Sequence, residues 1–192
     1  MRCLMCESLS LLHICKKCQK NFLHPQIYKR KIYNNIEVIS FYKYNEIKEL
    51  LHTKHTDLGY YIYNILAQNS FQEFGKNFFY DNKVISLAID DNIRSGYAHT
   101  SILNKALKST SIKPLYSKLR AKNKVSYSGK SKQFRLLNKR DFLLKKFEEK
   151  EVILVDDLIT TGSTLIQAIQ TLEKENKEVL FCLTLADASM KE

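Results

Sequence analysis

Residues 151–165, EVILVDDLITTGSTL, constrain the fold more than any other stretch. Val152 to Val155 form a continuous aliphatic run, the pattern of a strand buried on both faces. Asp156 and Asp157 follow, and Thr160-Thr161-Gly162-Ser163-Thr164 then turns into a helical stretch from Ser163 to Glu175. A buried strand that passes through a small-residue turn into a helix is the first half of a βαβ unit. The sequence therefore predicts an α/β fold, with a parallel sheet covered by helices on both faces.

The turn also has a chemical reading. Ligands of open parallel sheets sit outside the carboxyl ends of the strands. A turn of this kind aims backbone N–H groups, hydroxyls and the positive end of a helix at one place, and Gly162 lets the backbone come close to an anion. That combination describes a phosphate cradle over Thr160, Thr161, Gly162, Ser163 and Thr164. Like charges repel, so Asp156 and Asp157 suit hydroxyls or a cation beside the phosphate rather than the phosphate itself. Two vicinal sugar hydroxyls next to a 5-phosphate satisfy the whole set. The plainer alternative is a strand-to-helix turn in which Asp157 only caps, and it leaves the second acid and the hydroxyl residues without a role.

Four of the five cysteines lie in Cys3-Leu4-Met5-Cys6 and Cys15-Lys16-Lys17-Cys18. Each pair can turn both sulfurs toward one ion, and two pairs make a closed four-thiolate site of the structural zinc type. A rubredoxin-like iron site uses the same ligands, and two disulfides or plain thiols are the remaining alternatives. Lys16 and Lys17 would partly offset the anionic metal–thiolate centre. A reducing compartment favours metal over disulfides. Cys182, inside VLFCLTL, reads as a core thiol. The pattern divides the chain into a zinc-finger module over 1–35 and an α/β domain over 36–192.

Between these features the chain alternates strands and helices. One or two strands are expected between Phe22 and Tyr44, and a helix from Glu46 to His52. A second helix, capped by Asp57, should carry GYYIYNILAQ. Lys83–Asp90 reads as a buried strand and Thr100–Lys108 as the helix after it. SIKPLYSKLRAKNKVSYSGKSKQ reads as a strand plus a mobile loop, and RLLNKRDFLLKKF as a helix or hairpin. Glu178–Leu185 is the last strand. The five histidines show no metal-ligand spacing, and His52 and His55 read as surface residues at a helix end.

The net charge of +11 is not spread evenly. Between Asn104 and Lys146 there are fourteen Lys or Arg and one acid, Asp141, so the rest of the chain is slightly acidic. Tyr116, Tyr127, Phe134 and Phe142 are interleaved with this belt. Cations beside aromatic faces suit single-stranded nucleic acid, with Lys118, Arg120, Lys122, Lys124, Lys130, Lys132, Arg135, Lys139 and Arg140 as candidate contacts. A solvated charged face is the bland reading, and part of the belt could instead close over a pyrophosphate. Tyr28-Lys29-Arg30-Lys31 is a second, smaller basic patch. No apolar run reaches membrane-spanning length, and Glu7 with no following cleavage site argues against a signal peptide.

VILVDDLITTGSTL resembles the phosphoribosyl-pyrophosphate motif of type I phosphoribosyltransferases. By that resemblance Asp156 and Asp157 meet the ribose 2- and 3-hydroxyls, Thr160 to Thr164 bind the 5-phosphate, and the pyrophosphate carries magnesium. Taken with the cysteine pairs, the chain resembles the competence protein F family, which joins a zinc finger to a phosphoribosyltransferase-like domain and is linked to natural transformation. Gly96-Tyr97 with His99, a basic loop at Arg120 and Lys122, and Arg135-Leu136-Leu137-Asn138 match that family more weakly. Ala98, Tyr127 and Leu87-Ala88-Ile89-Asp90 depart from its pattern. The resemblance implies a cytoplasmic protein, at most peripheral to the inner membrane, that handles incoming single-stranded DNA beside other DNA-uptake or recombination proteins. It would carry structural zinc and bind magnesium with phosphoribosyl pyrophosphate. An active phosphoribosyltransferase with an unidentified acceptor is the alternative.

Overall fold

The computed structural model describes residues 1–89, 96–122 and 141–189. After the cysteine turns comes α1 (Lys16–Phe22), then an antiparallel pair, β1 (Tyr28–Lys31) and β2 (Glu37–Lys43). Three helices follow: α2 (Tyr44–His52), α3 (Asp57–Ala67) and α4 (Glu73–Asn77), the last two joined by a π-helical turn over Gln68–Gln72. Next come β3 (Val84–Ala88), α5 (His99–Ala106), β4 (Ile112–Leu115) and β5 (Leu119–Ala121). The chain closes with β6 (Phe142–Leu144), β7 (Glu151–Ile159), α6 (Ser163–Lys174) and β8 (Glu178–Asp187).

Six strands form one sheet in the order β1-β2-β8-β7-β3-β4. All neighbours pair in parallel except β1 with β2. The carboxyl ends of β2, β3, β7 and β8 therefore share one edge. β5 and β6 form a separate antiparallel pair, so the segment expected as a helix or hairpin contributes a strand at Phe142–Leu144. The loop expected before it falls largely on residues outside those described.

The sheet is covered on both faces, as its aliphatic strands require. One face buries Ile153 and Val155 of β7 against Ile47 and Leu51 of α2, Ile62 and Leu66 of α3, and Leu103 of α5. The other buries Val152 and Leu154 against Leu165, Ala168, Ile169 and Leu172 of α6, with Leu119 and Phe142 of the small hairpin. Successive residues of β7 thus alternate between two separate cores, as strand geometry dictates. Cys3, Ile14, Cys18 and Leu23 belong to the first core, and His13 packs on Tyr61 of α3 with ring centroids 4.5 Å apart.

Two local details differ from expectation. The cap of α3 is Thr56, whose side-chain oxygen accepts from the Gly59 N–H, and Asp57 is the first helical residue. β7 also runs on through both aspartates to Ile159.

Candidate functional site

The bend after β7 is held in a conformation that only glycine adopts readily. Gly162 caps α6 with φ +79°. A Cβ there would sit 3.4 Å from Ile32 Cγ2, so backbone conformation rather than space excludes other residues. The hydroxyls of Thr161 and Ser163 are 2.6 Å apart, and the Ser163 N–H makes a long 3.4 Å contact with Thr161 Oγ1. Asp156, Leu158, Ile159 and Thr160 to Leu165 together line a small cleft at the α6 N-terminus. The carboxylate Asp156 and the hydroxyl bend, linked in the sequence only by proximity, thus open into one space.

Asp157 does not open into it. The strand continues through both acids, so neighbouring side chains point to opposite faces. Asp157 is 6% exposed on the helix-covered face. Its Oδ2 lies 3.0 Å from Lys54 Nζ, accepts from Tyr63 Oη at 3.2 Å, and is 3.3 Å from His99 Nε2. Burial opposes its ionisation, but the Lys54 and His99 charges and hydrogen bonds outweigh that and hold the carboxyl well below the usual carboxylate range. Burial, and then the Asp157 charge, push the Tyr63 hydroxyl well above its ordinary value, which keeps it a neutral donor. The expectation that both acids turn toward one sugar therefore meets a geometric obstacle: Asp156 faces the cleft and Asp157 faces Lys54, Tyr63 and His99.

Residues far apart in the chain build that cluster. Lys54 comes from the turn after α2, Tyr63 from α3, and His99 from the start of α5 beyond β3. Tyr97 Oη reaches the carbonyls of Lys54 (2.8 Å) and Thr56 (3.1 Å), which fixes the turn that presents Lys54. Gly59 permits this approach, since a Cβ there would collide with Thr53 O and Tyr97 Oη. His99, expected only as part of a weak match, is 4% exposed and points at Asp157.

A second latch holds the bend from the other side. Arg30 of β1 donates from Nη2 to Thr160 O (2.7 Å) and from Nη1 to Ser189 Oγ (2.9 Å), and its Nε is 3.0 Å from Asp187 Oδ2. Asp187 ends β8 and is 1% exposed. The Ala188 N–H donates to Ile159 O (2.9 Å). Arg30, read from sequence as part of a basic patch, instead ties the edge strand to the bend at Thr160. The remaining predicted contacts lie on the small hairpin: Arg120 and Lys122 are exposed, and Lys118 Nζ donates to Lys146 O (2.7 Å). Lys124, Lys130, Lys132, Arg135, Lys139 and Arg140 lie outside the described residues.

At the other end of the chain, Cys3, Cys6, Cys15 and Cys18 place their sulfurs within 4.8 Å of one another, with Cys6 and Cys15 3.7 Å apart. Four thiolates about 2.3 Å from one tetrahedral ion stand about 3.8 Å from each other. The cluster fits a metal of that kind, and all five cysteines are unbridged. The Cys15 N–H donates to Cys3 Sγ (3.3 Å) and the Cys18 N–H to Cys15 Sγ (3.4 Å). The Cys15 N–H lowers the Cys3 thiol to about 6, whereas burial pushes Cys18 up to about 12. A bound ion would favour the thiolate form of all four.

Residues 17–191 match the PRTase-CE family. The chain belongs to the PRTase-CE family. A phosphoribosyltransferase-like domain thus covers all the strands, while Cys3, Cys6 and Cys15 precede the PRTase-CE match. Among solved structures, hypoxanthine phosphoribosyltransferase from Staphylococcus aureus is similar at 19% identity and TM-score 0.40, over 65% of this chain and 64% of that one. Orotate phosphoribosyltransferase from Aeropyrum pernix is similar at 16% identity and TM-score 0.40, over 89% of this chain and 80% of that one. This PRTase-CE chain therefore spans just under two-thirds of the first of these proteins. No curated protein matches.

Proposed function

We propose that the cleft at the start of α6 binds a 5-phosphorylated ribose, with phosphoribosyl pyrophosphate as the ligand. The observation that carries this reading is the joint opening of Asp156 and the Thr160–Thr164 bend into one cleft at a helix N-terminus. In this reading the backbone N–H groups from Gly162 to Thr164 and the Thr161 and Ser163 hydroxyls take the 5-phosphate. The weak Ser163 N–H contact with Thr161 Oγ1 gives way to a phosphate oxygen at little cost. The Asp156 carboxylate accepts from the ribose hydroxyls. Asp157 keeps Lys54 and His99 in place at the same sheet edge, and it meets the sugar only if those contacts break.

The ligand's pyrophosphate would bring magnesium, which neutralises the leaving group's charge when bound. The chain's own part is to grip the phosphate, orient the sugar and hold cations beside it. Four cysteines would hold zinc in the module over 1–35, and the domain over 36–192 would hold the sugar phosphate. The role we infer for the pair is that of a competence-type protein that binds single-stranded DNA through the basic belt, of which Lys118, Arg120 and Lys122 lie on the small hairpin. Support for this part is the confinement of the positive charge to one segment, together with the sequence resemblance. Turnover with a base or amine acceptor is the second reading, supported by the PRTase-CE match.

One experiment separates them. The full chain is titrated with phosphoribosyl pyrophosphate and magnesium, and then with labelled single-stranded DNA at two salt concentrations. DNA binding that falls steeply with salt, without pyrophosphate release, supports the DNA-handling reading. Pyrophosphate release in the presence of a base supports transfer. A chain that binds neither the sugar phosphate nor single-stranded DNA would remove the proposal.

A further inference from the structure

The first twelve residues carry a surface that neither the metal cluster nor the cleft uses. Met1, Leu4, Met5, Leu9, Leu11 and Leu12 account for six of the thirteen large hydrophobic side chains that are exposed among the described residues. Leu9 is 89% and Leu11 95% exposed, in the loop between the two cysteine pairs. Single exposed leucines are ordinary, but a cluster of six in one short segment is not.

The same module also carries positive charge, although Lys16 and Lys20 line a cleft with Gln68, Asn69 and Glu73. Arg2 is bridged to Leu9 across a short antiparallel contact, and the Leu4 N–H donates to His13 O (2.8 Å). Leu4 and Met5 lie between two cysteines, Lys16 and Lys17 between the other two, and all four sulfurs lie within 4.8 Å. The apolar turn and the cationic turn are therefore neighbours on one small module. Arg2, Lys16, Lys17 and Lys20 are exposed, and Glu7 is the one acid among the first twenty residues.

We infer that this face docks on an anionic membrane surface, with Leu9 and Leu11 entering the acyl boundary and Arg2, Lys16, Lys17 and Lys20 meeting lipid phosphates. Aliphatic side chains beside lysines match a bilayer interface, which offers hydrocarbon just below a negative layer. Protein-binding centres favour Trp, Tyr and Arg, with Leu under-represented, and the loop itself carries leucines and no aromatic residue between Met1 and Leu12, with Tyr61 packed beside it on His13. A second copy would oppose like charges across the face. Leucines have no flat ring to stack on a base, which separates this surface from the belt between Asn104 and Lys146. The metal cluster would serve here as a rigid mount for the loop. The inference is independent of what fills the cleft at α6.

The chain has no tryptophan, so Leu11→Trp makes a single reporter at the loop tip. The test is flotation and fluorescence of the full chain with vesicles of phosphatidylcholine and phosphatidylglycerol, against vesicles of phosphatidylcholine alone. The expected result is binding to the anionic vesicles only, with Trp emission that shifts to the blue and is quenched by brominated acyl chains. Leu9→Ser with Leu11→Ser should weaken that binding by about tenfold or more at unchanged metal content, and Arg2→Gln with Lys20→Gln by about tenfold. Binding that survives loss of both leucines, or an unshifted Trp signal, would overturn the inference, because the basic belt alone could produce such binding. A blue shift with protein but never with vesicles would also overturn it, in favour of a protein partner.

Discussion

The two faces of β7 put the same side chain to opposite uses. On the α6 face, Asp156 opens into a cleft bounded by hydroxyls and backbone N–H groups. On the α3 and α5 face, Asp157 is closed in by Lys54, Tyr63 and His99. The residues are adjacent and chemically identical, and they differ only in which core they face. A pair of acids at a strand end is therefore not a matched pair of ligands. Both are buried, and the pleat assigns one to the cleft at α6 and the other to the scaffold, as long as the strand has not yet ended.

That contrast is breakable. The largest effect expected is on stability. Asp157→Asn leaves Lys54 and His99 facing a neutral group in a buried setting and should cost about 2–4 kcal/mol, because Lys54 is still partly exposed. Asp156 is also buried and accepts the Asp157 N–H at 2.8 Å, a contact that an Asn oxygen can keep, so Asp156→Asn should cost less, about 1 kcal/mol. Urea unfolding of the two variants side by side reads this directly, and equal losses would erase the distinction.

Affinity should divide the other way. If Asp156 holds the ribose as proposed, removing its carboxylate forfeits hydrogen bonds to a charged group, worth about 1.5–3 kcal/mol, or roughly tenfold to a hundredfold in dissociation constant. Calorimetric titration with phosphoribosyl pyrophosphate and magnesium measures it. Smaller again is Gly162→Ala, which forces a side chain into the φ +79° conformation at about 1–2 kcal/mol and moves the bend off the anion. Arg30→Gln should reduce stability by about 1 kcal/mol and weaken phosphate binding through the loosened Thr160 carbonyl, detectable as a loss of affinity for inorganic phosphate.

Acid sharpens the same contrast. The folded-state pKa of Asp157 lies below its unfolded value, so its contribution is complete above about pH 4 and is lost as pH falls through the folded value. The stability gap between wild type and Asp157→Asn should therefore narrow only below about pH 4. A gap that closes near neutrality would mean that Asp157 is not held ionised by its partners.

Much of this was legible in the sequence because it is local. The strand, the Gly162 bend and α6 are contiguous, and the alternation of strands and helices dictates the parallel sheet. The four cysteines announce their convergence by spacing alone. The Asp157 cluster is different in kind. Lys54, Tyr63 and His99 come from three elements, the first of them 103 residues of chain before Asp157, and no periodicity encodes their meeting. His99 stood beside a weakly matching Gly96-Tyr97, yet nothing local shows that it turns inward. Arg30 was read with its lysine neighbours as surface charge, although its partner Asp187 is an acid at the end of a buried strand. An acid at that position is the one signal that pointed to a cationic partner. The opposed orientation of Asp156 and Asp157 was readable in principle, since it needs only a strand that continues two residues beyond Val155.

The most direct test is to titrate wild type, Asp156→Asn and Asp157→Asn with phosphoribosyl pyrophosphate and magnesium while following the melting temperature of each. The account predicts wild-type binding, loss of affinity with the smaller loss of stability in Asp156→Asn, and the larger loss of stability in Asp157→Asn. Wild-type protein that does not bind the ligand, or Asp156→Asn that binds it as tightly as wild type, would contradict it.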